Sequence, residues 1–158
     1  MIIIADTGPL LHLYWTGASA WALPPLPIDV VDVVWEEVAS YAPEALADAR
    51  LRRVVSPIER LPEMAAFALD DGEAAAIAYA LRAERRAAVL VLCDERRARR
   101  ACEKLALPVV GSIGLVVEAR RAGRVTRAEA VATLSELPVR GRLHLSPALV
   151  RAAIEALT

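Results

Sequence analysis

Val89-Leu90-Val91-Leu92-Cys93-Asp94 is a continuous apolar run that stops on a carboxylate, and the chain opens on another of the same kind, Ile2-Ile3-Ile4-Ala5-Asp6. Short unbroken aliphatic runs are what a strand buried on both faces requires, and such strands belong to parallel sheets covered by helices. In an open sheet of that kind, ligands bind beyond the carboxyl ends of the strands, where the loops leave a concave rim. Asp6 or Asp94 alone would suit a turn or a helix cap. Delivered together to one rim by neighbouring strands, the pair reads as a site.

The intervals between these runs fit the same architecture. Residues 10–14 read as a short first helix after the break at Thr7-Gly8-Pro9, and residues 21–27 as a proline-rich connection. Residues 28–31 form another strand, with Asp32 placed to cap a helix through Trp35, Glu36, Glu37 and Val38. Arg53-Val54-Val55 is a weaker strand. Asp70 or Asp71 opens a helix over residues 73–85, with Ala76, Ile77 and Ala80 on its apolar side. A helix follows Asp94 through Leu105, Pro108-Val109-Val110 is a short strand, and residues 113–121 are helical. From Thr126 onward the pattern stays helical, broken near residues 138–141, with Ser146 or Pro147 starting a last helix. Strands separated by helices imply βαβ crossovers. The expectation is a single α/β domain over residues 1–158, a three-layer α/β/α sandwich with a central parallel sheet, in which 126–158 is a helical C-terminal extension.

Composition sets the limits. A chain of 158 residues suits one compact domain, and 56% hydrophobic residues can fill its core without staples. Aromatics make up only 4%, and much of the apolar content is alanine, which favours closely packed helices over an all-β sandwich. The net charge of −1 carries no bulk signal for nucleic acid, but an acidic cluster beside a basic track would cancel in that sum. Cys93 and Cys102 lie in apolar or helical patterns and read as small buried hydrophobes. Met1 leads directly into a strand with no leader pattern, and no apolar run reaches membrane-spanning length, so the expected compartment is the cytoplasm.

The acids point to a particular chemistry. Asp70 and Glu73 fit a capping box, worth about 1 kcal/mol to the helix start. A glutamate there still sits on the first turn, where its carboxylate can face the strand ends. Asp70 and Asp71 read as caps or as groups supporting a ligand from behind. Hard cations such as Mg²⁺ and Mn²⁺ prefer oxygen donors. Clustered carboxylates repel one another unless a cation neutralises them. A cation so held can activate water for attack on a phosphodiester.

Taken in order, Ile3-Ile4-Ala5-Asp6-Thr7-Gly8-Pro9-Leu10, Leu69-Asp70-Asp71-Gly72-Glu73-Ala74-Ala75-Ala76-Ile77 and Leu92-Cys93-Asp94-Glu95-Arg96-Arg97-Ala98-Arg99-Arg100 resemble the PIN-domain superfamily. More narrowly they are similar to its prokaryotic DUF3368 branch, related to VapC-type toxins, as are Leu107-Pro108-Val109-Val110-Gly111-Ser112-Ile113-Gly114 and the helical tail through Leu145-Ser146-Pro147. The resemblance implies a Mg²⁺- or Mn²⁺-dependent nuclease acting on RNA, with Asp6, Glu73 and Asp94 as metal ligands and Glu37 completing the catalytic set. Glu37 enters through the pattern Val34, Glu37, Val38; its spacing alone carries no signal. Thr7 fits the hydroxyl position beside the first acid. It further implies an endoribonuclease, the toxin of a type II toxin–antitoxin pair, with a small antitoxin protein as partner and a homodimeric state. Two positions depart from the pattern: Asp32 stands where relatives often have proline, and Glu95 offers a competing ligand beside Asp94.

Arg96, Arg97 and Arg100 follow Asp94 closely enough to hold a phosphate backbone, although a solvated helix face is an equal reading. His12 and His144 have no partner at metal spacing. Trp15, Trp21 and Trp35 are too scattered along the chain to propose a base-stacking platform. A covalent phosphotransfer site with Asp6 as nucleophile is disfavoured. The dehalogenase type needs a second aspartate where Gly8 stands, and the receiver type needs a lysine after a late strand, which Lys104 is not. A PIN-fold module that binds nucleic acid or protein without cutting remains the alternative.

Overall fold

The computed structural model describes residues 1–56 and 61–158. The strands are β1 (Ile2–Ala5), β2 (Ile28–Val31), β3 (Leu51–Val54), β4 (Val89–Leu92) and β5 (Val109–Val110). The helices are α1 (Thr7–Trp15), α2 (Ser19–Ala22), α3 (Asp32–Tyr41), α4 (Asp71–Ala83), α5 (Arg96–Lys104), α6 (Ser112–Arg121), α7 (Arg127–Glu136) and α8 (Pro147–Glu155). The strands form one parallel sheet in the order β3-β2-β1-β4-β5, and with its helices it makes a three-layer α/β/α sandwich. From β1 the chain steps outward through β2 to β3, then returns to the other side of β1 as β4. The strand order therefore reverses between β1 and β4, which is where an open α/β sheet leaves its crevice. Ala5 pairs in register with Leu92, and the Asp6 amide donates to the Leu92 carbonyl at 2.9 Å, so Asp6 and Asp94 emerge side by side.

The central strands are buried as their aliphatic runs require: Ile3, Ile4, Ala5, Ile28, Val30, Val31, Val91 and Leu92 are all closed to solvent. Helix α4 brings Ala74, Ala75, Ala76, Ala78 and Ala80 to this core, and side chains this short let it lie close against β1, β2 and β4. One polar group is enclosed in the sheet. Asp29 of β2, 3% exposed, accepts from Arg52 Nε at 3.0 Å and from the Tyr79 hydroxyl at 2.8 Å, and forms an ion pair with Arg52 Nη2 at 2.8 Å.

Several boundaries differ from the sequence reading. Helix α1 begins at Thr7 rather than at residue 10, because Pro9 falls in the first turn, where a missing N–H costs nothing. The expected connection over residues 21–27 starts inside α2. Strand β3 lies at Leu51–Val54 rather than 53–55: it is an edge strand that buries Leu51 and exposes Arg52, Arg53 and Val55. Asp32 is the first residue of α3, not its cap. Its Oδ1 accepts from the Val33 amide at 2.9 Å and the Ser56 amide at 3.0 Å, and it also bonds the Ser56 hydroxyl, which fastens the chain beyond β3 to the start of α3. Helix α8 starts as expected, with the Ser146 hydroxyl accepting from the Leu149 amide and Pro147 in its first turn.

The Asp29 cluster tests how the sheet edge is held. Asp29→Ala orphans the Tyr79 hydroxyl and Arg52 and is expected to lower the unfolding free energy by about 3 kcal/mol. Tyr79→Phe leaves Arg52 on the carboxylate and is expected to cost about 1 kcal/mol. Urea unfolding followed by circular dichroism measures both, and equal losses would show that the carboxylate does not organise the cluster.

Candidate active site

The site is built from helix starts meeting strand ends. Asp6 lies between β1 and α1, is 6% exposed, and receives a hydrogen bond from the Cys93 thiol at 3.6 Å on Oδ2. Burial pushes its carboxyl up to about 7, and the neighbouring charges of Asp70 and Glu73 push the same way, while hydrogen bonds from Thr7 and Cys93 oppose them. The Cys93 thiol is itself raised, by burial first and by Asp6 second. It therefore stays protonated as a donor, a role that a small apolar reading of this cysteine does not anticipate.

Glu73 sits on the first turn of α4, where the expected capping box forms. Asp70 Oδ1 accepts from the Glu73 amide at 2.7 Å, and Glu73 Oε2 accepts from the Asp70 amide at 3.1 Å. The box uses only one oxygen. Oε1 is buried with no hydrogen-bond partner, 3.6 Å from Arg97 Nη2. Burial, ahead of the repulsion from Asp70, raises the Glu73 carboxyl, and Arg97 acts in the opposite direction.

Glu37, half-buried on α3, is oriented by the Thr7 hydroxyl, which donates to Oε2 at 3.0 Å. The same Oε2 would stand 3.1 Å from a Cβ on Gly72, so the absence of a side chain there lets α3 and α4 close on each other at the rim. Asp94 is fixed by a residue the sequence reading passed over. The Ser112 amide donates to Oδ1 at 2.7 Å and the Ser112 hydroxyl to Oδ2 at 2.6 Å, at the start of α6. The available signal was that β5 runs straight into Gly111-Ser112 and a helix beside β4. Gly111 is required there, because a Cβ would stand 2.7 Å from Asp94 Oδ1 and 2.5 Å from Arg99 Nη1.

The arginines sort differently from their order in sequence. Arg97 turns to Glu73 and Arg99 to the neighbourhood of Asp94, whereas Arg96 and Arg100 lie exposed on α5. Glu95 is exposed at the cap of α5, makes no capping bond there, and acts on Glu73 only through its charge. Asp70 is exposed and serves the capping box.

A parallel α/β/α sandwich with carboxylates beyond the strand ends where its order reverses presents them in the crevice where open sheets of this kind bind ligands. The chain belongs to the PIN-domain family: the sequence pattern of DUF3368, a PIN domain, matches residues 2–158. PIN domains are generally nucleases that depend on divalent metal. No curated protein and no solved structure matches the chain. Among the described residues no helix is long and apolar enough to cross a membrane.

The donor set fits a hard cation in its chemistry: all-oxygen, anionic, with a buried orphan on Glu73 and a desolvated carboxyl on Asp6. Among the described residues, no three carboxylate, imidazole or thiol groups already stand at ligating distance of one point.

Two outcomes follow. Because the folded Asp6 carboxyl titrates near 7 and the unfolded one near 3.8, the metal-free native state keeps a proton that the unfolded chain releases between these values. Stability should fall as pH rises from about 4 to 7, by up to ~4 kcal/mol. Melting in EDTA should show this decline in wild type and a flatter profile in Asp6→Asn. Mn²⁺ at pH 8 should raise Tm in wild type more than in that variant. A wild-type slope no steeper than that of Asp6→Asn would contradict the burial assigned to Asp6. Separately, Gly111→Ala is expected to lower stability by about 1–3 kcal/mol, since Asp94 is pinned by Ser112 and cannot retreat. Chemical denaturation would show otherwise if Arg99 alone yields and the variant is as stable as wild type.

Proposed function

We propose that this PIN domain is a divalent-metal-dependent endoribonuclease whose cleft lies beyond β1 and β4. The observation that supports it best is the presence of two desolvated carboxyls at the same rim, Asp6 and Glu73, the second with a buried oxygen that makes no hydrogen bond and has only Arg97 at 3.6 Å. Such a pair is stable as two carboxylates only beside a cation. Asp6, Glu73 and Asp94 would hold Mg²⁺ or Mn²⁺. When bound, that ion supplies charge to activate water and to offset the negative charge developing on the phosphodiester.

The remaining residues bind, orient and move protons. Ser112 holds the Asp94 carboxylate in one orientation, and Thr7 does the same for Glu37. Glu37 takes the proton of the attacking water as its oxygen bonds to phosphorus and the phosphorus–oxygen bond to the leaving nucleotide breaks. Arg97, beside Glu73, and Arg99, beside Gly111, would meet the phosphate charge, and Arg96 and Arg100 would extend that basic face along α5. The toxin role, the small antitoxin partner and the homodimer rest on the family resemblance.

Purified wild type and Asp94→Asn should be incubated with mixed structured and single-stranded RNAs in Mn²⁺, Mg²⁺ or EDTA. The expected result is metal-dependent cleavage, abolished by EDTA and reduced at least about 100-fold by the substitution. Equal cleavage by both proteins would remove the site from the reaction. RNA binding without cleavage would replace the enzyme with a binding module.

A further inference from the structure

Helix α1 starts at the acidic rim and ends beneath the C-terminal tail. Gly8, His12 and Trp15 follow one another along one face at spacings of four and three. At the rim, a Cβ on Gly8 would stand 3.4 Å from Asp94 Oδ2 and 3.6 Å from His12 Cδ2, so the imidazole edge and the carboxylate flank one point. The next turn is roofed by the segment between α7 and α8. His12 Nδ1 donates to the Gly141 carbonyl at 2.5 Å, which places the proton on that nitrogen because a carbonyl only accepts.

The roof is tightly constrained. Gly141 is buried, and a Cβ there would stand 2.7 Å from the Leu137 carbonyl oxygen and 2.9 Å from Leu137 Cα. Arg142, next in the chain, takes the left-handed conformation at φ 55°. For a long side chain this is uncommon, and such positions gather at ligand clamps. The conformation carries its guanidinium to 4.3 Å above the Trp15 ring centroid. Stacking on an indole leaves the in-plane N–H donors free. Arg140 is neutralised by Glu136 and Arg121 by Glu118, whereas Arg142 is exposed and forms no salt bridge among the described residues.

We propose that Trp15 and Arg142 form a subsite for single-stranded RNA, in which the stacked guanidinium binds a backbone phosphate of the strand running along α1 from the cleavage site. From Thr7 to Trp15 the helix rises about 12 Å at ~1.5 Å per residue. At ~3.4 Å per stacked nucleotide, that puts the bound phosphate about three to four nucleotides from the rim. His12 is the positioning residue: its bond to Gly141 holds the roof, and with it Arg142, at that distance. The subsite rests on the nuclease reading of the rim and adds a length requirement to it.

Fluorescein-labelled oligouridylates of 4 and 12 nucleotides, titrated against wild type, Arg142→Gln and Arg142→Lys in Ca²⁺ and followed by anisotropy, test it. Wild type should prefer the 12-mer. In Arg142→Gln that preference should shrink about fivefold and the slope of log affinity against log salt should fall by about 0.7, the value for one phosphate contact on a single strand. Arg142→Lys should keep the slope while losing part of the preference. If wild type binds both oligomers and Arg142→Gln matches it in preference and slope, the stack only covers the indole and the subsite is overturned while the rim reading stands. If wild type binds neither length while still cutting RNA in Mn²⁺, the subsite alone falls; if it also cuts nothing, the rim reading falls with it.

Discussion

Two carboxyls held out of water at one rim of the sheet, Asp6 and Glu73, are the constraint around which the rest of the candidate site is arranged. Asp6 is carried into the rim by β1, and its burial follows from β1 being the central strand of the sheet. Glu73 is carried there by the helix that packs across β1, β2 and β4. Neither can retreat to solvent without unmaking the sheet or the helix start. The protein lessens the resulting strain with hydrogen bonds from Thr7 and the Cys93 thiol on Asp6, and with the Asp70 amide and the charge of Arg97 on Glu73, and leaves the remainder as raised proton affinity. In this capping box Oε2 accepts the Asp70 amide while Oε1 is buried rather than exposed to solvent, so one side chain both starts α4 and contributes to the rim.

Such crowding needs close backbone approach, which small residues supply. Gly72 admits the Glu37 carboxylate, Gly111 admits Asp94 and Arg99, and Gly8 lets α1 start against Asp94. The buried alanines of α4 act in the same way over a larger area. The high alanine content and the scarcity of aromatics thus bear on the shape of the rim, because bulkier side chains on α4 would lift Glu73 away from the sheet.

What was legible in the sequence was what local pattern determines. The aliphatic runs ending at Asp6 and near Asp94 marked buried parallel strands; that they are neighbours came from the fold, where the register of Ala5 with Leu92 places the two acids together. The capping box at Asp70 and Glu73 was legible because a box is written within four residues. Ser112 was not, since its bond to Asp94 spans 18 positions and depends on β5 lying beside β4. Asp32 looked like a cap and instead ties α3 to Ser56, 24 residues away, a competition between local and distant donors that no window of sequence contains. The edge strand β3 was misplaced because its arginines hide the alternation that burial of Leu51 alone sustains.

The arginines of α5 carry the same lesson into electrostatics. Adjacency to Asp94 favoured Arg96 and Arg97 equally, yet a helix turns successive residues by about 100° and sends them to different surroundings. Arg97 comes to the orphan oxygen of Glu73, and Arg99, further along the chain, comes over Gly111 to the neighbourhood of Asp94. The cations nearest the acids are therefore selected by helical phase and by the space left at a glycine, not by sequence distance. Summed over the chain, such arrangements nearly cancel, so a net charge of −1 is compatible with sharply separated acidic and basic surfaces a few ångströms apart.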